Sequence, residues 1–465
     1  MTSDTKATGD DRTEVMGRDP ISRLLIRFSG PAILAAETSA FYNLFDAIWC
    51  GRLGPEPVAA LSVAHPLMHI YTAIGSAIGV GAASLIARNL GAGKREEASK
   101  VVCNSISFFF IVSGLMTVIC LLNLETLLRL FGADNSVLPF AYSYMFVETC
   151  SIAVDFFLAV LVQLVRVGGN PALASAGSIT SSITDLIWSP ILVFGLGPFP
   201  ALGIAGAALG TTIGRTVGVS VLLYFGLRKS IYEFKAKYFV PKLKMLTGIY
   251  SIGFSQTVRT GASSISLAIA NNIAASFGVI PLAVLGVIFK VQSVVLGVCT
   301  GIGQGMLPLV GYNFGARKKE RVSEVVVKAS LFSLLWGLLC WLVVTLFPGQ
   351  IMSLFGTDPN FLEGGALALR LFALGFFAIG VQNNLSAFFQ GIGKATPSLV
   401  VASSRQLLIL VPCLLVFPSI LGLNGLWAAY PVADFLSMVL SVTWAFIEFR
   451  NLKMPFHFSF AAPAR

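Results

Sequence analysis

The sequence predicts an all-α polytopic membrane protein: twelve transmembrane helices arranged as two parallel-repeat six-helix bundles around a central cavity. Three observations predict it. Hydrophobic residues make up 55% of the 465-residue chain and charged residues only 12%, with a mean hydropathy of +0.82, which is more apolar surface than a soluble fold can hide. Twelve apolar runs recur along the chain, each long enough to cross hydrocarbon. The two halves also repeat at a fixed offset.

The runs lie at 27–50, 59–87, 101–123, 137–164, 172–197 and 202–227, then at 247–276, 281–311, 325–347, 361–390, 396–421 and 423–448. They divide the chain into a cytoplasmic tail (1–26), a first lobe of spans 1 to 6 (27–227), a basic cytoplasmic linker (228–246), a second lobe of spans 7 to 12 (247–448) and a second tail (449–465). No apolar run precedes Leu24, so no cleavable signal peptide is expected.

Basic residues accumulate on the cytoplasmic side of a membrane protein. Of the 32 Lys and Arg, 25 fall on one set of alternate loops and tails and two, Arg52 and Arg129, on the other. This predicts a multi-pass protein of the cell membrane with both termini in the cytoplasm. The net charge of +10 is thereby a topology signal, and no nucleic-acid partner is expected. The remaining five, Arg215, Arg259, Lys290, Arg370 and Arg405, lie within spans. The seven cysteines lack close CxxC spacing and read as free thiols.

An offset of 224 carries Gly54 and Pro57 onto Gly278 and Pro281, Asn89-Leu90-Gly91-Ala92 onto Asn313-Phe314-Gly315-Ala316, Leu130-Phe131-Gly132 onto Leu354-Phe355-Gly356, and Gly169 onto Gly393. Parallel repeats of this kind are a transporter architecture with a cavity of alternating access. The repeat also supplies a control, because an acid present in one copy alone is not required by the shared fold. Asp46 maps onto Ala270, and Asp185 maps near Ile409 or Val411. Charges at membrane depth are functional candidates by default.

Several segments together resemble the multidrug and toxic compound extrusion family over nearly the whole chain. They are Tyr42-Asn43-Leu44-Phe45-Asp46, Gly79-Val80-Gly81, Arg88-Asn89-Leu90-Gly91-Ala92-Gly93, Ser189-Pro190 before Phe194-Gly195-Leu196-Gly197, and Gly206-Ala207-Ala208-Leu209-Gly210-Thr211. The resemblance implies a coupling-ion site in the N-half, with Asp46 as the span-1 acid, Asn43 one turn before it and Thr211 from span 6. Span 5 departs from the family's Asn-x-x-x-Asp-Pro pattern. Asp185 stands where the Asn is expected and Ser189 where the Asp is expected, so the carboxylate is displaced by one helical turn, about 5.4 Å. Pro31 resembles the proline at which the family's first helix is proposed to bend. The glutamate of some sodium-coupled branches is missing, its place being taken by Ser263.

Two carboxylates in one low-dielectric pocket do not both ionise cheaply, so Asp46 and Asp185 are expected to hold a proton or a cation near neutral pH. Glu37 and Asp155 are candidate relay residues, whereas Glu148, near a predicted helix start, reads as structural. His65 and His69 have metal-ligand spacing on a helix but no acid beside them, and no metal is expected. No nucleophile motif or phosphate-binding loop occurs, so an enzyme is not expected.

The function implied is secondary antiport: export of amphipathic organic cations in exchange for protons, with sodium as the other coupling ion. The protein is expected to act as a monomer among membrane lipids, without a cofactor. The alternative is a flippase or exporter of a lipid-linked or anionic substrate, with Arg259, Lys290 and Arg405 as its signature. Asp46→Asn is expected to abolish ion-driven export with expression intact, as measured by efflux from vesicles under an imposed ion gradient.

Overall fold

The computed structural model describes the backbone of residues 9–228 and 230–455; the side chains of 9–12, 43, 44, 46, 47, 227 and 228 lie outside the description. Span 1 is Ile21–Gly51, span 2 Pro55–Gly91, span 3 Arg95–Leu122, span 5 Pro171–Phe194 and span 6 Ile204–Arg228. Span 4 consists of Leu138–Cys150 and Ile152–Val167, bent by 50° at Ser151. In the second half, span 7 is Leu243–Ser276, span 8 Val279–Gly315, span 9 Lys319–Leu346, span 11 Ala395–Leu421 and span 12 Leu423–Asn451. Span 10 consists of Pro359–Ala373 and Phe376–Ile392, bent by 41°. Eight of these helices are single apolar spans, and the two bent pairs bring the number to ten among the described residues. Spans 1 and 7 complete the twelve. They are 31 and 34 residues long, about 46 and 51 Å at 1.5 Å per residue, but carry more polar side chains.

The repeat is visible in the helix ends themselves. Adding 224 turns Pro55–Gly91 into Val279–Gly315 and Arg95–Leu122 into Lys319–Leu346, and it moves the break at Ser151 onto Gly375. It also aligns the starts of spans 5 and 11, although Pro171 and Pro397 themselves are shifted. Span 11 then loosens into a π-helical turn at Ser404–Leu410, and the loop that follows is shorter than its counterpart in the first copy. From there the offset becomes 219, with the left-handed Gly203 (φ 57°) corresponding to Gly422 (φ 59°).

The chain forms two compact units. The first contains the described residues up to Asp19, Leu34–Thr257 and Gly311–Arg317; the second contains Pro20–Ile33, Val258–Val310 and the chain from Lys318 onward. Residues 21–33 of span 1 thus belong to the second unit and 243–257 of span 7 to the first. Within the first unit, Gly81 and Gly253 let the backbones of spans 2 and 7 touch, since a Cβ on either would strike a carbonyl of the other helix. Within the second unit, Gly301 and Gly305 of span 8 meet Ile33 and Ser29 of span 1 in the same way.

Spans 5 and 6 have the closest approach that bears on function. Gly206, Gly210, Gly214 and Gly218 form a stripe with a spacing of four along span 6, so they share one face. A Cβ on Gly206 would lie 2.5 Å from the Leu192 carbonyl, one on Gly210 2.5 Å from Ser189 Oγ, one on Gly214 2.5 Å from the Ser181 oxygen and one on Gly218 2.8 Å from the Gly177 oxygen. Such small-residue stripes let membrane helices pack backbone to backbone. At the 219 offset the second copy keeps the rule with Gly425, Ala429, Ala433 and Ser437.

The linker is bound to span 3 by side chains that stand in for missing backbone partners. Asn104 Nδ2 donates to the Tyr238 carbonyl at 2.8 Å, its Oδ1 accepts from the Lys242 N–H at 2.8 Å, and Ser107 Oγ donates to the Phe239 carbonyl at 2.6 Å.

Gly210→Ala should lower the thermal unfolding midpoint in detergent, because overpacking costs roughly 1–3 kcal/mol of stability. Gly114→Ala, on span 3 with nothing within 4 Å of the added carbon, should leave it unchanged.

Candidate functional site

The glycine stripe places span 5 so that Asp185, Ser189 and Thr211 converge inside the first unit. All three are buried, at 3%, 2% and 6% exposure. Ser189 Oγ donates to Asp185 Oδ1 at 2.7 Å, and Thr211 Oγ1 lies 3.3 Å from both carboxylate oxygens. Each hydroxyl also has a second acceptor in the Ala207 carbonyl, 3.5 Å from Ser189 Oγ and 3.2 Å from Thr211 Oγ1. A hydroxyl has one proton to give, so each can turn between the carboxylate and the backbone.

One turn along span 6 from Thr211 stands Arg215. Its Nη1 is 2.8 Å from Glu148 Oε2 and its Nε 3.3 Å from Asp155 Oδ1, and it acts electrostatically on Asp185 and Tyr42. The two acids flank the break in span 4 at Ser151. Nearby, the Tyr71 and Thr149 hydroxyls are 3.1 Å apart.

Of the residues singled out from sequence, the structure brings Asp185, Ser189 and Thr211 into contact and ties Asp155 to Arg215. Glu37 lies on span 1 with its Oε1 buried and without a hydrogen-bond partner. Pro31 sits inside a continuous span 1, two residues before the change of unit at Ile33. Asn43 and Asp46 are on the same helix, but their side chains lie outside the described residues. His65 and His69 have ring centroids 5.8 Å apart, and no group of three or more His, Cys, Asp or Glu that could hold a metal occurs among the described residues. Sequence reasoning missed the Arg215–Glu148–Asp155 network. The signal that could have found it is a cation one turn from the candidate Thr211 on the same helix face.

The second unit carries different charges. Arg405, in the π-helical turn, pairs with the buried Asp434 of span 12, and Arg259 of span 7 donates to the Asn383 side-chain oxygen. The two arginines are near enough to repel each other. Lys290 lies over the Phe355 ring, 5.7 Å from its centroid.

One family model, described as MatE, matches the chain twice, over residues 31–191 and 260–415, once in each half. The chain belongs to the MatE family. It is therefore a multi-pass membrane transporter and not an enzyme. It is 26% identical over 441 residues to a multidrug export protein MepA of Staphylococcus haemolyticus, covering 93% of this chain and 95% of that protein. It is 24% identical over 430 residues to a FAD transporter of Shewanella oneidensis, covering 90% and 92%. Its fold matches a crystal structure of a MATE protein in the bent conformation with a TM-score of 0.88 at 24% identity, covering 95% and 98% of the two chains.

Asp185→Asn should abolish ion-driven transport, because an amide neither takes up a proton nor offers a charge to a cation. Adding Ser189→Asp should restore part of it, because position 189 is one turn away on the same face. Efflux from vesicles under an imposed ion gradient measures both.

Proposed function

We propose that this transporter is a secondary active antiporter of the cell membrane, with both termini cytoplasmic, that exports amphipathic organic cations in exchange for protons by alternating access. The observation that carries this reading is Asp185. It is a buried carboxylate in a transport fold, and its neutralising contacts are two hydroxyls; among the described residues no guanidinium or ammonium bonds it. A buried acid in such surroundings changes its charge by taking a small cation. A proton needs one oxygen, whereas sodium is usually held by several. Asp185, Ser189 and Thr211, with Asn43 and Asp46 on span 1, are the coupling-ion residues in this reading. Pro31 is the hinge. The protein works as a monomer in the lipid bilayer and needs no cofactor.

Glu37, with an oxygen without a partner, and Asp155, ion-paired with Arg215, are the relay candidates in this reading.

A second reading rests on Arg259 and Arg405. Two guanidinium groups within mutual electrostatic range suit a phosphate-bearing or otherwise anionic amphiphile, and one relative is a FAD transporter. Thermal stabilisation of the purified protein by tetraphenylphosphonium but not by FAD or an anionic lipid supports the first reading; the reverse result supports the second.

Export assayed with only one gradient present decides the ion. A pH gradient alone should drive it, and a sodium gradient at equal pH should not. Sodium-driven export at equal pH would contradict proton coupling.

A further inference from the structure

Span 4 breaks at Ser151, and a broken membrane helix presents both the carbonyl end of one half and the N–H end of the other. Glu148 lies in the last turn of Leu138–Cys150, where the carbonyl end already carries partial negative charge. Asp155 lies in the first turn of Ile152–Val167. Between them, against Tyr71 and Thr72, is a cavity that leaves about 10 Å³ for the centre of a water molecule, room for about one water. Glu148 lines this cavity at 3% exposure. Its Oε2 is held by Arg215, and its Oε1 is buried without a hydrogen-bond partner. Two carboxylates thus face one guanidinium, so the formal charge of the three groups is negative when both acids are ionised.

The shared fold does not require this arrangement. In the second copy the residues equivalent to Glu148 and Asp155 are Phe372 and Ile379, and the span-6 position of Arg215 is taken by Asp434. Asp434 nevertheless lies beside the equivalent break, where a Cβ on Gly375 would strike its carboxylate. The same place in the repeat therefore carries charges of opposite sign.

We propose that the Arg215 guanidinium is a tethered cation seated in a monovalent-cation site formed by Glu148 and Asp155 at the break in span 4, and that it keeps sodium out of that site. The site differs from the Asp185 pocket, although the two share span 6. The inference rests on reading the first unit as the ion-handling one, and it explains why a pocket rich in acids belongs to a carrier that uses protons. Replacing the guanidinium with a neutral side chain leaves the buried Glu148 carboxylate and the partly buried Asp155 carboxylate uncompensated beside a water-sized cavity. That is a demand a small hydrated cation meets.

The test compares thermal unfolding midpoints of full-length protein in sodium chloride and in choline chloride. Arg215→Gln should gain a sodium-specific stabilisation of several degrees over the wild type. Arg215→Lys, which keeps the charge, should behave as the wild type does. Combining Arg215→Gln with Glu148→Gln should remove the gain. An Arg215→Gln protein that responds to sodium no more than the wild type, or that fails to fold equally in both salts, overturns the proposal. So does a gain that survives the added Glu148→Gln. Sodium stabilisation of the wild type itself would count instead against proton coupling at Asp185, because the readout here is the difference between variant and wild type.

Discussion

The backbone-to-backbone seam between spans 5 and 6 is the constraint on which the first unit's chemistry depends. Four glycines on one face of span 6 bring the helices so close that any added methyl would overlap Leu192, Ser189, Ser181 or Gly177. Lipid offers no hydrophobic drive for helix association, so such a seam is held by close packing and by polar contacts that only short distances allow. At this separation Thr211 reaches Asp185 directly, and Ser189 closes onto the same carboxylate from within its own helix. A wider seam would leave a buried carboxylate with one hydroxyl fewer, and an unmet charge in the membrane is expensive. Packing and site are therefore one feature: the glycines make the distance and the distance satisfies the acid.

The two copies of the repeat share a scaffold and differ in charge. Helix ends, helix breaks and the small-residue stripe recur in both. At the position on the sixth span of each repeat that faces the break, the first copy has Arg215 with two acids and the second has Asp434 with one arginine. Each buried pair costs desolvation that its Coulomb energy only partly offsets, so such pairs are weak evidence for stability. Retaining them with opposite sign in the two halves gives each half its own electrostatic character on a common frame. The first half is thereby rich in acids around Arg215 and Asp185, and the second half places two arginines, Arg259 and Arg405, within electrostatic range of each other.

Most of the scaffold was legible in the sequence because it follows from hydropathy and repetition. The twelve spans and the 224 offset needed only composition and spacing, and Asp185, Ser189 and Thr211 stood out as polar groups at membrane depth in a recognisable pattern. Three features were not legible for physical reasons. The break in span 4 falls at Ser151 without a proline, so no residue announces it. The π-helical turn in span 11 changes the residue count per turn without changing composition. The ion pairing of Arg215 joins spans 4 and 6 through residues 60 or more positions apart in the sequence, and hydropathy cannot show which buried charge faces which. Glu148 read as structural because it was expected near a helix start, whereas it lies in the last turn of Leu138–Cys150 and pairs with Arg215.

The nature of the partner separates Asp185 from Glu148 and Asp155. Glu148 and Asp155 are bonded to a guanidinium, which stays protonated under all ordinary conditions. Withdrawing the arginine would leave the Glu148 and Asp155 charges uncompensated, at a cost of about 3–5 kcal/mol for breaking a buried pair. Asp185 is bonded to hydroxyls, and both hydroxyls have the Ala207 carbonyl as an alternative acceptor. When Asp185 is ionised, Ser189 and Thr211 donate to it. When a proton arrives, a hydroxyl can turn toward the Ala207 carbonyl, and its oxygen can accept from the new carboxyl O–H. The cost of switching is then a pair of rotations about single bonds, and the helix seam does not have to open. A carboxylate proposed to carry an ion through a transport cycle needs this property, and Asp185 is bonded to hydroxyls that can reorient, whereas Glu148 and Asp155 are bonded to the fixed charge of Arg215.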